Sequence, residues 1–474
     1  MSTETNASDL LTIYDNAKLT PRYWLVCTLL MLHEMFDYYD FYIVGYLVAI
    51  LAPAWHLTYG QSAGILLAAG FGAVIGALVF GKVADVMGRK PLLVFSGFLV
   101  AASAGGIALI PKESWILFSL LRIVVGFGIG GAIAAQNALI VEFAPTRYRT
   151  FLSGIMIAPV SLGILIAAIL SSLLLPIIGW RGLAAIGAAP AVLATAVIFL
   201  MPESPRWLLA RDRFVEARAA VALQLGVSPE SLPMPTASKQ APPPAPLREL
   251  LKHRRAFWLL VLSWIGMSTT TYGYQLWSPT ILAMVMKIPV KAVAGYFIII
   301  AIAGLIGRFV FSTLPLFIGR RHSGEVMGWG AAIFILLAGI YHNQYLAGLP
   351  AFVVWLTLAA VFVNGGFSNV VPHTLEIFPV RLVGRATGAS QAVNSIGRIL
   401  GPAFLGLIAG TGNVVNPQAT EKAVLPAFIF LSCCCLISGL SYTLLPIETH
   451  GRPLTLKGED SEKTSDVSAT AIRR

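Results

Sequence analysis

Charged side chains inside long apolar runs are the residues of this sequence best suited to chemistry. One run carries four of them and two later runs carry arginines: His33, Glu34, Asp37, Asp40, Arg122 and Arg398. Charges are costly in an apolar phase and rarely face lipid. Asp37 and Asp40 are three residues apart, so on a helix they share a face. Carboxylates beside guanidinium groups suit proton transfer and the binding of an organic anion.

The composition shows what kind of protein positions these groups. Hydrophobic residues make up 57% of the 474 residues, charged residues make up 12%, and the mean hydropathy is +0.78. A typical soluble domain is about 25% charged. The composition therefore disfavours soluble enzymes, secreted proteins and disordered chains, and it favours an all-α integral membrane protein with many helices.

Apolar runs of about 20 residues, each long enough to span a bilayer, divide the chain into two halves. They lie near residues 22–49, 62–81, 91–110, 115–141, 151–175, 181–201, 256–285, 293–314, 323–341, 350–375, 383–410 and 423–445. We predict twelve transmembrane helices in two six-helix bundles, residues 22–201 and 256–446. Residues 1–21 and 447–474 are expected to be tails, and residues 202–255 an amphipathic and Pro-rich linker.

The distribution of Lys and Arg predicts the orientation. If both termini are cytoplasmic, 25 of the 33 basic residues fall on the cytoplasmic side and 5 fall in outer loops. Arg122, Arg308 and Arg398 lie within apolar runs. Basic residues flank membrane helices mainly on the cytoplasmic side. We therefore predict a multi-pass protein of the plasma membrane, in a bacterium the inner membrane, and interpret the net charge of +11 as a record of orientation in the lipid bilayer, with no nucleic-acid partner.

Two motifs recur in the second half of the chain. The stretch from Glu142 to Gly154 resembles the stretch from Glu376 to Gly388, with Glu, Pro, Arg and Gly repeated. Gly-Arg-Lys at 88–90 is echoed by Gly-Arg-Arg at 319–321. The nearly equal offsets indicate internal duplication, which is typical of one class of secondary transporter.

At these motifs the sequence resembles the major facilitator superfamily. GKVADVMGRKP at 81–91 resembles its loop between helices 2 and 3, and PESPRWL at 202–208 and PIETHGRPL at 446–454 resemble its sugar-porter-like branch. DYYD at 37–40, RIVVGFGIGG from Arg122 and GRILGP from Gly397 are most similar to the aromatic acid:proton symporter family. The resemblance implies paired six-helix bundles that work by alternating access.

We assign proton coupling to Asp37 or Asp40, with Glu34 and His33 as further candidates, because a desolvated carboxylate can load and release a proton. A purely structural pair of Arg122 with Asp37 remains an alternative. Asp37 and Arg398 each lie 15 residues into their runs, about 22 Å from the cytoplasmic side, so we expect them in one layer.

The guanidinium of Arg398 is the first choice for the substrate carboxylate, since its planar fork can hold a carboxylate at two points. A hydrogen bond to helix carbonyls is the alternative. Further residues expected to line a central cavity are polar or aromatic and lie in the same runs: Arg122, Tyr38, Tyr42, Gln136, Tyr274, Gln275, Trp277, Asn369, Gln391 and Asn394. The aromatic members are alternatively packing residues or interface anchors.

The resemblance implies gates at the cytoplasmic side. It suggests that Asp85 and Arg89 act at one helix end, Glu142 with Arg147 at a second, and Glu376 with Arg381 and Arg385 at a third. His373 lies three residues before Glu376 and is placed with this gate. The alternative is that these Arg and Lys residues only set the topology.

Together these features predict a proton-coupled symporter that imports a small organic anion, above all an aromatic or heteroaromatic carboxylate, and acts as a monomer. A sugar, polyol or organic-cation carrier and a non-transporting receptor on the same fold are the alternatives. Neither an ATP-binding loop nor a metal or nucleophilic cluster stands out, so we expect no enzyme activity and no cofactor beyond the proton gradient.

Overall fold

The computed structural model describes residues 7–148, 158–235, 247–378, 382–445 and 448. Arg381 and most of the C-terminal tail lie outside this part, and so does the side chain of Asp85. The helices are α1 (Ala7–Asp15), α2 (Pro21–Ala54), α3 (Tyr59–Met87), α4 (Arg89–Ile107), α5 (Trp115–Phe143), α6 (Ala158–Ile186), α7 (Pro190–Leu200), α8 (Pro205–Leu209), α9 (Phe214–Leu225), α10 (Arg254–Val285), α11 (Val290–Thr313), α12 (Pro315–Ile340), α13 (Ala351–Ile377), α14 (Val383–Ile408) and α15 (Pro417–Leu444). Strands β1 (Tyr345–Leu346) and β2 (Leu349–Pro350) form one antiparallel hairpin.

Nine helices of the described part are long and apolar enough to cross a membrane: α2 to α6, α11 to α13 and α15. Helices α10 and α14 have 32 and 26 residues but carry more polar side chains. Helix α7 has only 11 residues. The chain is therefore a helical, multi-pass membrane protein, and the count of twelve spans stays a prediction.

Several helix boundaries differ from the predicted runs. Helix α6 continues through the expected break and instead kinks at Gly179, where φ is +65°. Helix α12 likewise contains a break at Gly319, with φ of +81°. A positive φ is accessible to glycine at little cost, so the apolar pattern could continue through both kinks without showing them. Helix α15 begins at Pro417 because Asn416 caps it, accepting from the Ala419 N–H.

The helices pack as two halves. In the first half α5 packs against α3 and α4, and α2 packs against α6. In the second half α11 packs against α13, and α15 packs against α10 and α12. The halves meet where α2 packs on α10, α3 on α14, and α6 on α11. We call the end with residues 88–90 and 319–321 the basic end, and the end with residues 55–58 and 409–416 the opposite end.

Glycines let α3 and α5 approach closely. A Cβ added to Gly126 would lie 1.9 Å from the Ala69 carbonyl oxygen, and one added to Gly72 would lie 1.9 Å from the Ile123 carbonyl oxygen. No side chain fits at such distances. The glycine-rich stretch of α5 is thus a helix-packing surface, as small residues commonly are in membrane helices.

The opposite end is closed by bonds between the halves. The N–H groups of Tyr59 and Gly60 donate to the carbonyl oxygens of Asn413 and Thr411, at 2.9 and 3.0 Å. The Tyr59 hydroxyl lies 2.6 Å from that of Thr420. Backbone pairing of this kind fixes the two halves against each other at this end.

The halves separate toward the basic end. On α3, a Cβ at Gly70 would lie 3.2 Å from the Arg398 side chain of α14, so the helices touch there. Gly81 lies three turns further along the same face, and a Cβ there would meet no described atom within 4 Å. Gly388 of α14 is equally open toward the described residues. In the part of the chain that the structure describes, the interface between the halves is closed at the opposite end and open at the basic end.

The N-terminal tail forms a helix, which the polar sequence did not predict. Leu10 and Tyr14 of α1 are buried against the first half. The Tyr14 hydroxyl donates to the Phe143 carbonyl at 2.8 Å, and Arg206 bonds Asp15 at 2.5 Å. Helix α1 therefore packs on the basic end of α5, together with α8 and α9 of the linker.

Candidate functional site

Asp40 forms a buried ion pair inside the first half. Its Oδ2 accepts from Arg122 Nη1 at 2.6 Å, and its carbonyl oxygen accepts from the same nitrogen at 3.0 Å. The side chains are 4% and 1% exposed, respectively. The alternative interpretation of the sequence paired Arg122 with Asp37. The structure instead pairs Arg122 with Asp40, one helical turn further along α2.

Asp37 has weaker partners. Its Oδ2 accepts from Gln136 Nε2 at 3.2 Å and lies 3.3 Å from His33 Nδ1. Gln136 Nε2 also lies 2.9 Å from His33 Nδ1. The second oxygen, Oδ1, is buried without a hydrogen-bond partner among the described residues. A proton placed on Asp37 Oδ1 would leave the contacts of Oδ2 with Gln136 and His33 in place.

These carboxylates do not line the interface between the halves. Both are held by side chains of α5, Arg122 and Gln136, so they face the interior of the first half. The three-residue spacing of Asp37 and Asp40 predicted their shared face correctly, and this face turns toward α5. Apart from its few charged residues α2 carries apolar side chains all round, so its sequence does not tell which face turns toward α5.

Arg398 lies at the interface in a cage of aromatic rings. Its Nε donates to the Tyr272 hydroxyl at 3.0 Å. The guanidinium carbon lies 5.2 Å from the Phe41 ring centroid, 5.3 Å from that of Tyr272 and 6.0 Å from that of Tyr38. Such distances allow attraction between the cation and each ring face. Among the described residues no carboxylate pairs with Arg398, which is 2% exposed.

Arg308 of α11 is a second cation here, and the sequence left it without a role. It is 7% exposed, lies 6.0 Å from the Phe367 ring and interacts electrostatically with Glu34 of α2. Glu34 is half-buried and lies near Asp37 of its own helix as well as near Arg308. The position of Arg308 within an apolar run could have indicated a role, because ionisable residues inside membrane helices usually mark functional sites.

A small cavity lies at the centre of the interface. Tyr42 and Tyr46 of α2, Phe297 of α11, Gln275 of α10 and Asn364 of α13 contribute to its wall. Its volume of about 10 Å³ suffices for roughly one water molecule. Tyr274, a predicted wall residue, is fully buried beside the cavity and accepts hydrogen bonds from Gln275 and Asn364.

Other predicted cavity residues lie elsewhere. Trp277 donates to the Pro402 carbonyl at 3.1 Å and packs on Tyr59, so it belongs to the closed opposite end. Asn369 donates to the Arg320 carbonyl at 3.0 Å, near the basic end.

Gln391 and Asn394 lie together on α14. They bond each other at 3.4 Å, and Asn394 accepts from Ser268 of α10 at 3.0 Å. This contact joins α10 to α14 within the second half. Helical depth alone did not resolve which of these polar faces turns toward the cavity.

The basic end carries two equivalent ion pairs. Arg89 Nε bonds Glu142 at 3.3 Å in the first half, and Arg320 bonds Glu376 at 3.1 Å in the second. The expected pairing of Glu142 with Arg147 is wrong, because Arg147 is exposed and stacks over the Tyr148 ring at 5.7 Å.

In the second-half gate, Glu376 pairs with Arg320, a partner that the sequence did not suggest. The partners suggested from the sequence were Arg381 and Arg385. Arg385 is exposed on α14, and Arg381 lies outside the described residues. His373 packs its ring 5.3 Å from that of Tyr442 on α15 and is fully buried. Each half thus uses the arginine that follows its kinked glycine.

Two glutamates for which the sequence predicted no role cap these same helix starts. Glu203 accepts from the Lys90 and Ser204 N–H groups at 3.2 and 2.7 Å. Glu448 accepts from the Arg320 and Arg321 N–H groups at 2.8 and 3.0 Å. Helix N-termini attract negative charge, so both glutamates stabilise the helices that they cap.

The glycines before these helix starts make room for the caps. Gly88 and Gly319 have φ of +104° and +81°, and a Cβ on either would collide with the capping carboxylate. Burial raises the pKa of Glu203, although backbone N–H donors and Arg89 oppose the shift. In the sequence each capping glutamate follows a proline closely: Glu203 comes one residue after Pro202 and Glu448 two residues after Pro446.

Comparisons with known proteins give one family and consistent relatives. The profile of a family described as "Sugar (and other) transporter" matches residues 26–459. The niacin transporter NiaP of Acinetobacter baylyi is 26% identical over 457 residues, covering 94% of this chain and 99% of that protein. The 4-hydroxybenzoate transporter PcaK of the same organism is 27% identical, covering 90% and 93%. The crystal structure of a D-xylose-proton symporter superposes with a TM-score of 0.70 at 18% identity, covering 91% and 99%.

Proposed function

Since the chain belongs to the sugar (and other) transporter family of the major facilitator superfamily, we propose that it is a proton-coupled symporter importing an aromatic or heteroaromatic carboxylate. It is a transporter and not an enzyme. Relatives named for niacin and 4-hydroxybenzoate support the substrate class.

The proposal includes the orientation. The basic end is cytoplasmic, both termini lie on that side of the plasma membrane, and the helices supply twelve spans. The excess of Lys and Arg at this end supports the orientation. The structure then corresponds to an inward-facing state, because the halves are bonded at the opposite end and apart at the basic end.

The observation that carries the substrate proposal is the charge balance at the interface. The charge of Asp40 is matched by Arg122 within the first half. The neighbours of Arg398 are three aromatic rings, one of which is the phenol of Tyr272. A buried cation without an anion is unfavourable, and an anionic substrate would supply the missing charge. The rings around Arg398 would pack against an aromatic acid.

The proton site we favour is Asp37. It is buried beside Gln136 and His33 and keeps one oxygen unpartnered among the described residues. A proton arriving there neutralises a buried charge, which lowers the cost of burying it. Asp40, by contrast, serves the structure through Arg122.

Uptake into proteoliposomes tests the proposal. Purified protein is reconstituted, an inward proton gradient is imposed, and labelled benzoate, nicotinate and xylose are offered separately. We expect accumulation of the acids above protein-free liposomes, abolished by a protonophore, and none of xylose. Accumulation of xylose alone would favour a sugar carrier, and binding of acids without accumulation would favour a receptor.

A further inference from the structure

The cavity between the halves has a polar corner. Neither the carboxylate site at Arg398 nor the proton site at Asp37 includes it. Gln275, Asn364 and Tyr274 meet there, and Gln275 and Asn364 line the cavity. Gln275 Nε2 donates to the Tyr274 hydroxyl and to Asn364 Oδ1, both at 3.0 Å, and Asn364 Nδ2 donates to the same hydroxyl at 3.2 Å. All three side chains are 6% exposed or less.

The hydrogen-bond network fixes which way the two amides point. In this orientation each of the three contacts pairs an N–H donor with an oxygen acceptor. If both amides were flipped, the Tyr274 hydroxyl would face two oxygens with a single hydrogen, leaving one bare oxygen–oxygen contact. Both N–H groups of Gln275 therefore donate within the cluster, to the Tyr274 hydroxyl and to Asn364 Oδ1.

The group left over is the Gln275 carbonyl oxygen, Oε1. It is buried and has no hydrogen-bond partner among the described residues. A buried acceptor without a donor costs about 1–3 kcal/mol. Because Gln275 lines the cavity, a ligand entering there can supply the missing donor.

The corner is connected to Arg398 through two parallel rings. Tyr42 lines the cavity, and its ring stacks on that of Tyr272 with centroids 6.2 Å apart and planes 13° apart. Tyr272 in turn accepts from Arg398. Tyr272 and Gln275 are three residues apart on α10, about 4.5 Å along its axis. Arg398 thus bonds one ring of the stacked pair, and Gln275 lines the cavity together with the other.

We propose that Gln275 Oε1 accepts a hydrogen bond from a hydroxyl group on the ring of the substrate, so that the preferred substrates are hydroxylated aromatic acids. This rests on the proposed function, in which Arg398 holds the carboxylate. The ring lies beside Tyr42 and Tyr272, and its hydroxyl donates to Oε1. The cavity holds about one water in this state, so the ring enters after the halves move apart.

Three acids of similar shape test the assignment: 4-hydroxybenzoate, benzoate and 4-methoxybenzoate, which has an oxygen but no donor. Half-saturation is measured by counterflow in proteoliposomes for the wild type, Gln275→Met and the control Gln344→Met. Gln344 is exposed near the β hairpin, outside the cavity. We expect the wild type and the control to favour 4-hydroxybenzoate by about tenfold over both other acids, from a single unpaired buried acceptor.

In Gln275→Met, which keeps the side-chain length, the ratio of half-saturation values for the hydroxylated and unhydroxylated acids should fall to about onefold. If that variant fails to fold, Gln275→Leu, which is also uncharged and lacks an acceptor, gives the same test. Equal half-saturation for the three acids in the wild type, or a tenfold preference that survives in Gln275→Met, overturns the subsite while leaving acid transport intact. Counterflow of no aromatic acid overturns the proposed function itself.

Discussion

The substitutions Asp37→Asn and Asp40→Asn should affect different properties of the protein. Both substitutions remove a buried carboxylate from α2 and keep its shape. Asp40 bonds a guanidinium, Arg122, at 2.6 Å, whereas Asp37 bonds the amide of Gln136 at 3.2 Å. Asp40→Asn should therefore cost stability, and Asp37→Asn should cost proton coupling.

The size of the stability effect follows from burial. Arg122 is 1% exposed, and removing one partner of a buried ion pair costs about 3–5 kcal/mol. Asp37→Asn keeps an oxygen that can accept from Gln136 and leaves no arginine without its carboxylate, so its cost should be smaller, about 1 kcal/mol. Thermal unfolding in detergent should place Asp40→Asn well below the wild type and Asp37→Asn close to it.

The transport effect can also be given a magnitude. A gradient of one pH unit supplies about 1.4 kcal/mol per coupled proton, which corresponds to about tenfold accumulation. Proteoliposomes with the wild type should therefore concentrate the acid about tenfold for each coupled proton. Asp37→Asn should bring the inside concentration only to the outside value, yet exchange labelled for unlabelled acid in counterflow.

Protein-free liposomes are the necessary control, because a neutral aromatic acid crosses bilayers unaided and also follows a pH gradient. The reasoning is refuted if Asp37→Asn accumulates the acid with the pH dependence of the wild type. It fails equally if Asp40→Asn unfolds at the wild-type temperature, since the ion pair would then contribute nothing.

Three further outcomes can be measured in the same preparations. Arg398→Lys keeps the charge but loses the planar fork, so thermal-shift titration with aromatic acids should show affinity reduced about tenfold or more; unchanged affinity would remove Arg398 from the site. Gly126→Ala should lower the unfolding temperature, because its Cβ would lie 1.9 Å from a carbonyl oxygen, while Gly81→Ala, with nothing within 4 Å, should not; equal effects would refute the packing. Burial raises the pKa of Glu203 above its ordinary value of 4.5, so the wild type should lose stability relative to Glu203→Gln as pH rises from about 4.5 through the raised value; a relative gain would mean that the helix cap outweighs burial.

Sequence patterns predicted the architecture well because duplication and hydropathy act over long stretches. The recurrence of Gly-Arg at 88–89 and 319–320 anticipated two equivalent ion pairs at the basic end. The partner of Glu142 was mistaken, since Arg89 and Arg147 are equally good cations and only the packing of α4 on α5 selects between them. Kinks at glycine were invisible for a related reason, because they leave the apolar pattern intact.

Side-chain direction limited the prediction of the site. Depth along the helices placed Asp37, Arg122 and Arg398 in one layer, and the structure connects that layer through Asp40 and Phe41. Depth does not reveal rotation about the helix axis. In membrane helices that are apolar on all sides, rotation is set by neighbours, so Trp277 and Asn369 were assigned to the wrong surroundings.

Helix α2 supplies the physical link between proton and substrate in the proposed mechanism. One face of it carries Asp37 and Asp40 toward α5, and another carries Tyr38 and Phe41 toward Arg398. A rigid helix cannot shift one face without shifting the other. Neutralising Asp37 loosens its hold on α5, and filling the Arg398 cage removes an unmatched charge from the interface. Both events ease the same movement of α2 against α10, so each makes the other more favourable, which is the reciprocity that coupling requires.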